Sequence, residues 1–107
     1  MKNVDSIMKQ LGGSRCKLGF HFTKSAIELL LEDESRFLNL SHRVYPKIAM
    51  KYNVNIDCVE RNIRTLLDYC YSYGNRAFFD ELIGYESSRK PTVSEFLDMI
   101  YSYISDK

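Results

Sequence analysis

A chain of 107 residues and 12.6 kDa has room for one domain with one core, because a domain of this size buries roughly two-thirds of the surface its unfolded chain exposes. Apolar residues at 45%, charged residues at 27%, five glycines and two prolines exclude a disordered or collagen-like chain. The net charge is only +1, the most apolar stretch, Ile27 to Leu31, is interrupted by Glu28, and no charged, apolar and small-residue leader opens the sequence, so a soluble cytoplasmic protein without a membrane span is expected.

Val4, Ile7, Met8 and Leu11 recur at helical spacing, and Gly12-Gly13 stops this first short helix. Leu18, Phe20 and Phe22 alternate with small or polar residues; three apolar positions make no stable sheet alone, so the stretch reads as an extended connector. A second helix is expected from about Thr23, with Ala26, Ile27, Leu30 and Leu31 on its apolar face. Phe37, Leu38 and Leu40 form a short third piece. Val44, Ile48, Ala49 and Tyr52 then recur at i, i+4, i+5 and i+8, and Pro46, tolerated only in a first turn, places the regular part from about Tyr45 to Tyr52.

Asn53 to Asn55 is a tight connection, and Asn55 and Asp57 supply side-chain acceptors for the start of the next helix. Val59, Ile63, Leu66, Leu67, Cys70 and Tyr73 fall within about 120° on a helical wheel, and Gly74 ends the element. A short helix from Phe78 to Ile83 stops at Gly84, and the connection from Tyr85 to Pro91 is polar. Thr92 with Glu95 is a T-x-x-E capping box for a last helix buried through Phe96, Met99, Ile100 and Tyr103. The fold class expected is all-α, with about six short helices, no sheet and no repeat.

Local charge departs from the overall balance. From Ser41 to Arg76, Arg43, Lys47, Lys51, Arg61, Arg64 and Arg76 stand against Asp57, Glu60 and Asp68, a local +3 that leaves the rest at −2. Within this segment a short amphipathic helix, a turn of three residues and a longer helix with a polar outer face describe a helix-turn-helix. The buried stripe centred on Val59 and Ile63 puts Arg61 almost opposite, flanked by Asp57, Cys58, Arg64 and Thr65. Such a helix can enter the DNA major groove, where Arg bridges guanine O6 and N7 while Lys47 and Lys51 neutralise phosphates. The spacing equally fits a solvated surface helix whose arginines pair with Asp57, Glu60 or Asp68, since helix pairs with short turns are common in all-α domains.

The motif sequence separates these readings. Tyr45-Pro46-x-Ile48-Ala49-x-Lys51-x-Asn53, then Val59-Glu60-Arg61-x-Ile63-Arg64, Tyr73-Gly74-Asn75, Gly84-Tyr85 and Lys90-Pro91-Thr92-x-Ser94-Glu95-Phe96 together span nearly the whole chain. They resemble the C-terminal DNA-binding effector domain of the stage-zero A sporulation response regulator family of endospore-forming bacteria. The resemblance implies an all-helical domain whose helix-turn-helix binds short promoter boxes, usually as tandem protomers. It implies DNA contacts by Glu60, Arg61 and Arg64. Two positions depart from the family pattern: Cys58 replaces a further Arg, and Thr65 replaces a His. A thiol cannot donate a bidentate hydrogen-bond pair, so preference at one base pair is expected to differ. His42 and Arg43, where the family often has a Lys, are candidate phosphate contacts. The family's receiver domain is not expected in this chain, so phosphorylation-independent binding by a weak monomer, or as a weak homodimer or tandem pair on DNA, is the expected behaviour.

The remaining chemistry-bearing residues give no second function. Cys16, Cys58 and Cys70 are odd in number, with no CxxC and no Cys/His metal spacing, which favours reduced thiols. His21 and His42 lack a carboxylate or nucleophile at catalytic spacing, so no enzyme is expected. Gly12-Gly13 and Gly19 match no phosphate loop and read as turns. Tyrosines spaced by two, such as Tyr101 and Tyr103, face different sides of a helix and suit packing better than base stacking; Tyr69 and Tyr101 remain candidate protein contacts. The expected function is cofactor-free, sequence-specific double-stranded DNA binding, against an alternative of a helical protein-interaction module that pairs with a full-length regulator.

Overall fold

A computed structural model describes residues 3–13, 16–84 and 89–105. Residues 85–88, including the Tyr85 of the motif and much of the expected polar connection, lie outside the described residues. Among those described the chain is helical with no strand: α1 (Val4–Leu11), α2 (Lys17–Glu32), a 3-10 turn (Glu34–Asn39), α3 (Leu40–Arg43), α4 (Tyr45–Tyr52), α5 (Ile56–Tyr73), α6 (Arg76–Ile83) and α7 (Val93–Ile104). The fold class is all-α, as the apolar spacing requires.

Caps fix most boundaries. The Asn3 side chain accepts from the Ser6 N–H at 2.8 Å to open α1, and Gly12, at φ 86°, closes it in the left-handed region that side chains resist. Asn75 accepts from the Phe78 N–H and starts α6 two residues earlier than the apolar pattern suggests. The expected Thr92–Glu95 capping box is formed in both directions, at 2.9 and 3.2 Å.

The largest difference from expectation lies between Cys16 and Thr23. The stretch read as an extended connector is the first part of α2, and Gly19 is a helical residue rather than a turn. Gly19, Phe22, Thr23, Ala26, Ile27 and Leu30 are all buried and follow i, i+3, i+4, i+7, i+8 and i+11, a complete helical face. Glycine carries no hydropathy signal, so the apolar pattern alone starts this face too late. A Cβ at Gly19 would stand 2.5 Å from the Asn62 carbonyl oxygen and 2.8 Å from Leu66 Cβ. The missing side chain lets α2 and α5 approach closely.

α5 is the axis of the fold, packed by α2, α4, α6 and α7. Val59, Ile63, Leu66, Leu67 and Cys70 are buried along it. Phe22, Phe79 and Phe96 fill the core completely, Phe79 and Phe96 stacking at 6.4 Å, and each such burial contributes about 1.5–3 kcal/mol. Tyr73, expected in the buried stripe, is instead 78% exposed. The end of α1 reaches α5 through the Leu11 carbonyl, which accepts from Asn75, and through Gly74, leaving Tyr73 outside against Tyr69 at 5.5 Å. Tyr101 packs edge-on to Phe37 and donates to Glu34 within the chain.

Candidate nucleic-acid interface

The segment from α4 to α5 forms the helix-turn-helix. Pro46 sits in the first turn of α4, where its missing N–H leaves no helical bond unmade. Asn53, at φ 57° and ψ 50°, turns the chain left-handed, a conformation that asparagine tolerates better than most residues. The Val54 N–H closes the turn on the Ala49 carbonyl at 3.0 Å. Asn55 then accepts from the Cys58 N–H at 2.7 Å and opens α5. Ile48 and Ala49 on α4, with Val59 and Ile63 on α5, are buried on the inner side and hold the two helices to the core.

Their outer side carries Lys47, Met50 and Lys51 from α4, and Asp57, Arg61, Arg64 and Thr65 from α5, all exposed. Arg61 lies about 160° around the helix from both Val59 and Ile63, and its guanidinium has no partner among the described residues. Arg64 is different: it pairs with Glu60 one turn back, at 2.9 Å. Glu60 also stands near Tyr45, whose hydroxyl is pushed up to about 12 by burial, with Glu60 adding to the rise and Arg64 opposing it. The Thr65 hydroxyl donates to the Arg61 carbonyl at 2.9 Å, so its proton is turned into the helix. Lys51 lies over the Tyr52 ring, 5.4 Å from its centre, and Lys47 forms no ion pair among the described residues.

Cys58 is half-buried. Its sulfur accepts from the Asn62 amide at 3.4 Å, and the same amide donates to the Cys58 carbonyl at 2.8 Å. His42 and Arg43 belong to α3, before the helix-turn-helix. His42 meets the Asn39 side chain at 3.0 Å. Arg43 donates to the Ser35 carbonyl, the Ser35 hydroxyl and the Asp33 carboxylate at 2.9–3.1 Å, so its charge is bound to the 3-10 turn. Hydrogen bonds from Ser35, and then the Arg43 charge, hold Asp33 below the usual carboxylate range.

Lys47, Lys51, Glu60, Arg61, Arg64 and Thr65 thus all stand on the helix-turn-helix, Lys47 and Lys51 beside α2 and Glu60 and Arg64 beside Tyr45 and Lys90, while Arg43 is bound to the 3-10 turn. The sequence reading missed Met50, 85% exposed between the two lysines, because its apolar character suggests core. It also missed Asn62, whose bonds to Cys58 only the folded helix shows. Among the described residues no cluster of His, Cys, Asp and Glu is arranged to hold a metal, and no helix is long and apolar enough to cross a membrane.

A helix with outward arginines following a short capped turn is the arrangement that DNA readers use, and comparison with known families agrees: residues 4–104 match the family described as Sporulation initiation factor Spo0A C terminal. The match covers nearly the whole chain, and the chain therefore belongs to this family of DNA-binding effector domains of transcription regulators.

Proposed function

We propose that this domain is a sequence-specific reader of double-stranded promoter DNA, with α5 in the major groove and α4 along the phosphates. The observation that carries the reading is Arg61: an exposed guanidinium, without a partner among the described residues, at the centre of the outer face of the second helix. Its planar fork matches guanine O6 and N7. Glu60 is placed to accept from a cytosine amine, with Arg64 orienting it, and Lys47 and Lys51 supply the sequence-independent attraction.

Binding of this kind needs no cofactor and no catalysis, and its place is the cytoplasm, beside the chromosome. This chain by itself holds a single box weakly, because a tether between two modules contributes about 10²–10⁴ in affinity that one module lacks. Tandem boxes then fill through weak contacts between neighbouring copies.

Titration of a labelled promoter duplex and a randomised duplex over a range of salt concentrations tests the reading. With Lys47 and Lys51 each on a phosphate, log K falls against log salt with a slope of about −2 or steeper, and the promoter duplex binds more tightly at every salt concentration. Equal affinity for both duplexes removes base reading; salt-independent or absent binding removes DNA as the partner.

A further inference from the structure

Lys47 and Lys51, which form no ion pair among the described residues, share a cleft with acid. Lys47 and Lys51 line one wall of a space of about 190 Å³ whose other wall is α2, with Ser25, Glu28 and Glu32. The two helices are pinned at one end of it: the Phe22 and Tyr52 rings pack edge-on at 5.2 Å, and the Ser25 and Tyr52 hydroxyls meet at 3.4 Å. The separation of the walls is therefore fixed by buried packing, and no ion pair closes across it. Glu32 is neutralised on its own side by Arg36, at 3.2 Å. Lys24, one turn before Glu28, is taken by Asp5, also at 3.2 Å. Glu28 forms no ion pair among the described residues; it lines this cleft with Lys47 and Lys51, and on its other side a second space with Lys24, whose ammonium is bonded to Asp5.

We propose that Glu28 is a built-in restraint on phosphate contact, its carboxylate competing with the DNA backbone for Lys47 and Lys51. This rests on the reading of α4 as the phosphate-facing helix. A phosphate drawn to either lysine enters a cleft whose other wall carries the Glu28 carboxylate, and the like-charge repulsion offsets part of the attraction. Arg61 projects from α5 with no acid bonded to it, so base reading stays free while sequence-independent attraction is reduced. The wild-type domain consequently depends more on Arg61 than its count of outward cations suggests.

The test is a double-mutant cycle on a randomised duplex and a promoter duplex at low salt. Glu28 is exposed, so Glu28→Gln keeps its shape and leaves the fold intact, which thermal melting verifies. The substitution is expected to tighten binding to the randomised duplex about two- to five-fold, the range of a screened surface charge pair. The gain disappears when Lys47→Gln and Lys51→Gln are already present. Glu81→Gln, the same charge change on α6 beyond the far end of α5, changes binding less. An equal gain from Glu81→Gln, or a gain that survives loss of both lysines, overturns the restraint while leaving DNA binding standing. Absence of DNA binding in every variant and in the wild type overturns the DNA reading itself, and the restraint with it.

Discussion

Glu60 and Arg64 are joined across one turn of α5 at 2.9 Å, while Arg61, the residue after Glu60, has no side-chain partner among the described residues. Two arginines three residues apart on one helix are thus prepared for different tasks. On the reading proposed above, Arg61 offers its whole donor fork to a base edge, whereas Arg64 compensates the carboxylate of Glu60. Arg61→Ala is expected to cost about 1–3 kcal/mol on the specific box and to relax preference at one base pair. Arg64→Ala leaves Glu60 uncompensated and weakens every duplex, as Lys51→Ala does by loss of a phosphate contact. Competition with single-base-pair variants of the box separates the two patterns; a uniform loss from Arg61→Ala across all sequences would remove its base-reading role.

Cys58 stands where the family's pattern has an arginine, half-buried with its sulfur on the Asn62 amide. The Asn55 cap is made to the Cys58 main-chain N–H, so changing the side chain leaves the start of α5 intact. Cys58→Arg is expected to tighten binding to the family's promoter box by about 1–3 kcal/mol, through one added charge and a bidentate hydrogen-bond pair. Unchanged affinity for that box, measured by fluorescence anisotropy, would mean that position 58 does not reach the groove.

The helix-turn-helix was legible because its determinants are local: Pro46 in a first turn, Asn53 to Asn55 as the connection, and an apolar stripe from Val59 to Cys70 that one helical wheel describes. The outward placement of Arg61 follows from that stripe alone. The start of α2 was not legible, since its inner face begins with Gly19, a residue selected by the closeness of another helix rather than by hydropathy. Tyr73 failed for the complementary reason. Its wheel position is on the edge of the buried side, but burial there depends on where the end of α1 meets α5, a tertiary contact made by Gly74. The difference in pairing between Arg61 and Arg64 was open in the sequence, which offered Arg64 two acidic neighbours one turn away, Glu60 and Asp68, and could not say which one it takes.

Gly19 gives that tertiary constraint a measurable consequence. Alanine is the better helix former by about 1 kcal/mol, yet a Cβ here would press on the Asn62 carbonyl at 2.5 Å, a main-chain atom that cannot swing aside. Gly19→Ala is expected to destabilise the fold by about 1–3 kcal/mol through overpacking. It should also weaken DNA binding, because the displaced turn of α5 carries Arg61. The urea midpoint at unchanged m-value is the measurement, and a stability equal to or above wild type would show that the α2–α5 spacing is not set at this glycine.

Glu95 links the start of α7 to the chain before it. Its carboxylate accepts two bonds from the Arg89 guanidinium, at 3.1 and 3.0 Å, and one from the Thr92 N–H at 2.9 Å. Those bonds, the Arg89 pair foremost, hold its carboxyl down at about 2, against an ordinary value of 4.5. The folded state therefore favours the ionised form more than the unfolded chain does. The resulting stabilisation is fully present above about pH 4.5 and is lost as pH falls through about 2, below which both states are protonated. Glu95→Gln keeps an acceptor for the Thr92 N–H but loses the charge that Arg89 meets. Its melting temperature should lie below wild type at pH 7, by a gap that stays constant down to about pH 4.5 and closes progressively below it. Other carboxylates, Asp33 among them, titrate alike in both proteins and cancel from the difference. Thermal melts of the two proteins between pH 7 and pH 2 read this directly: a gap as wide at the acid limit as at neutrality would show that the cap holds through shape alone and that the Glu95 charge contributes nothing to the start of α7.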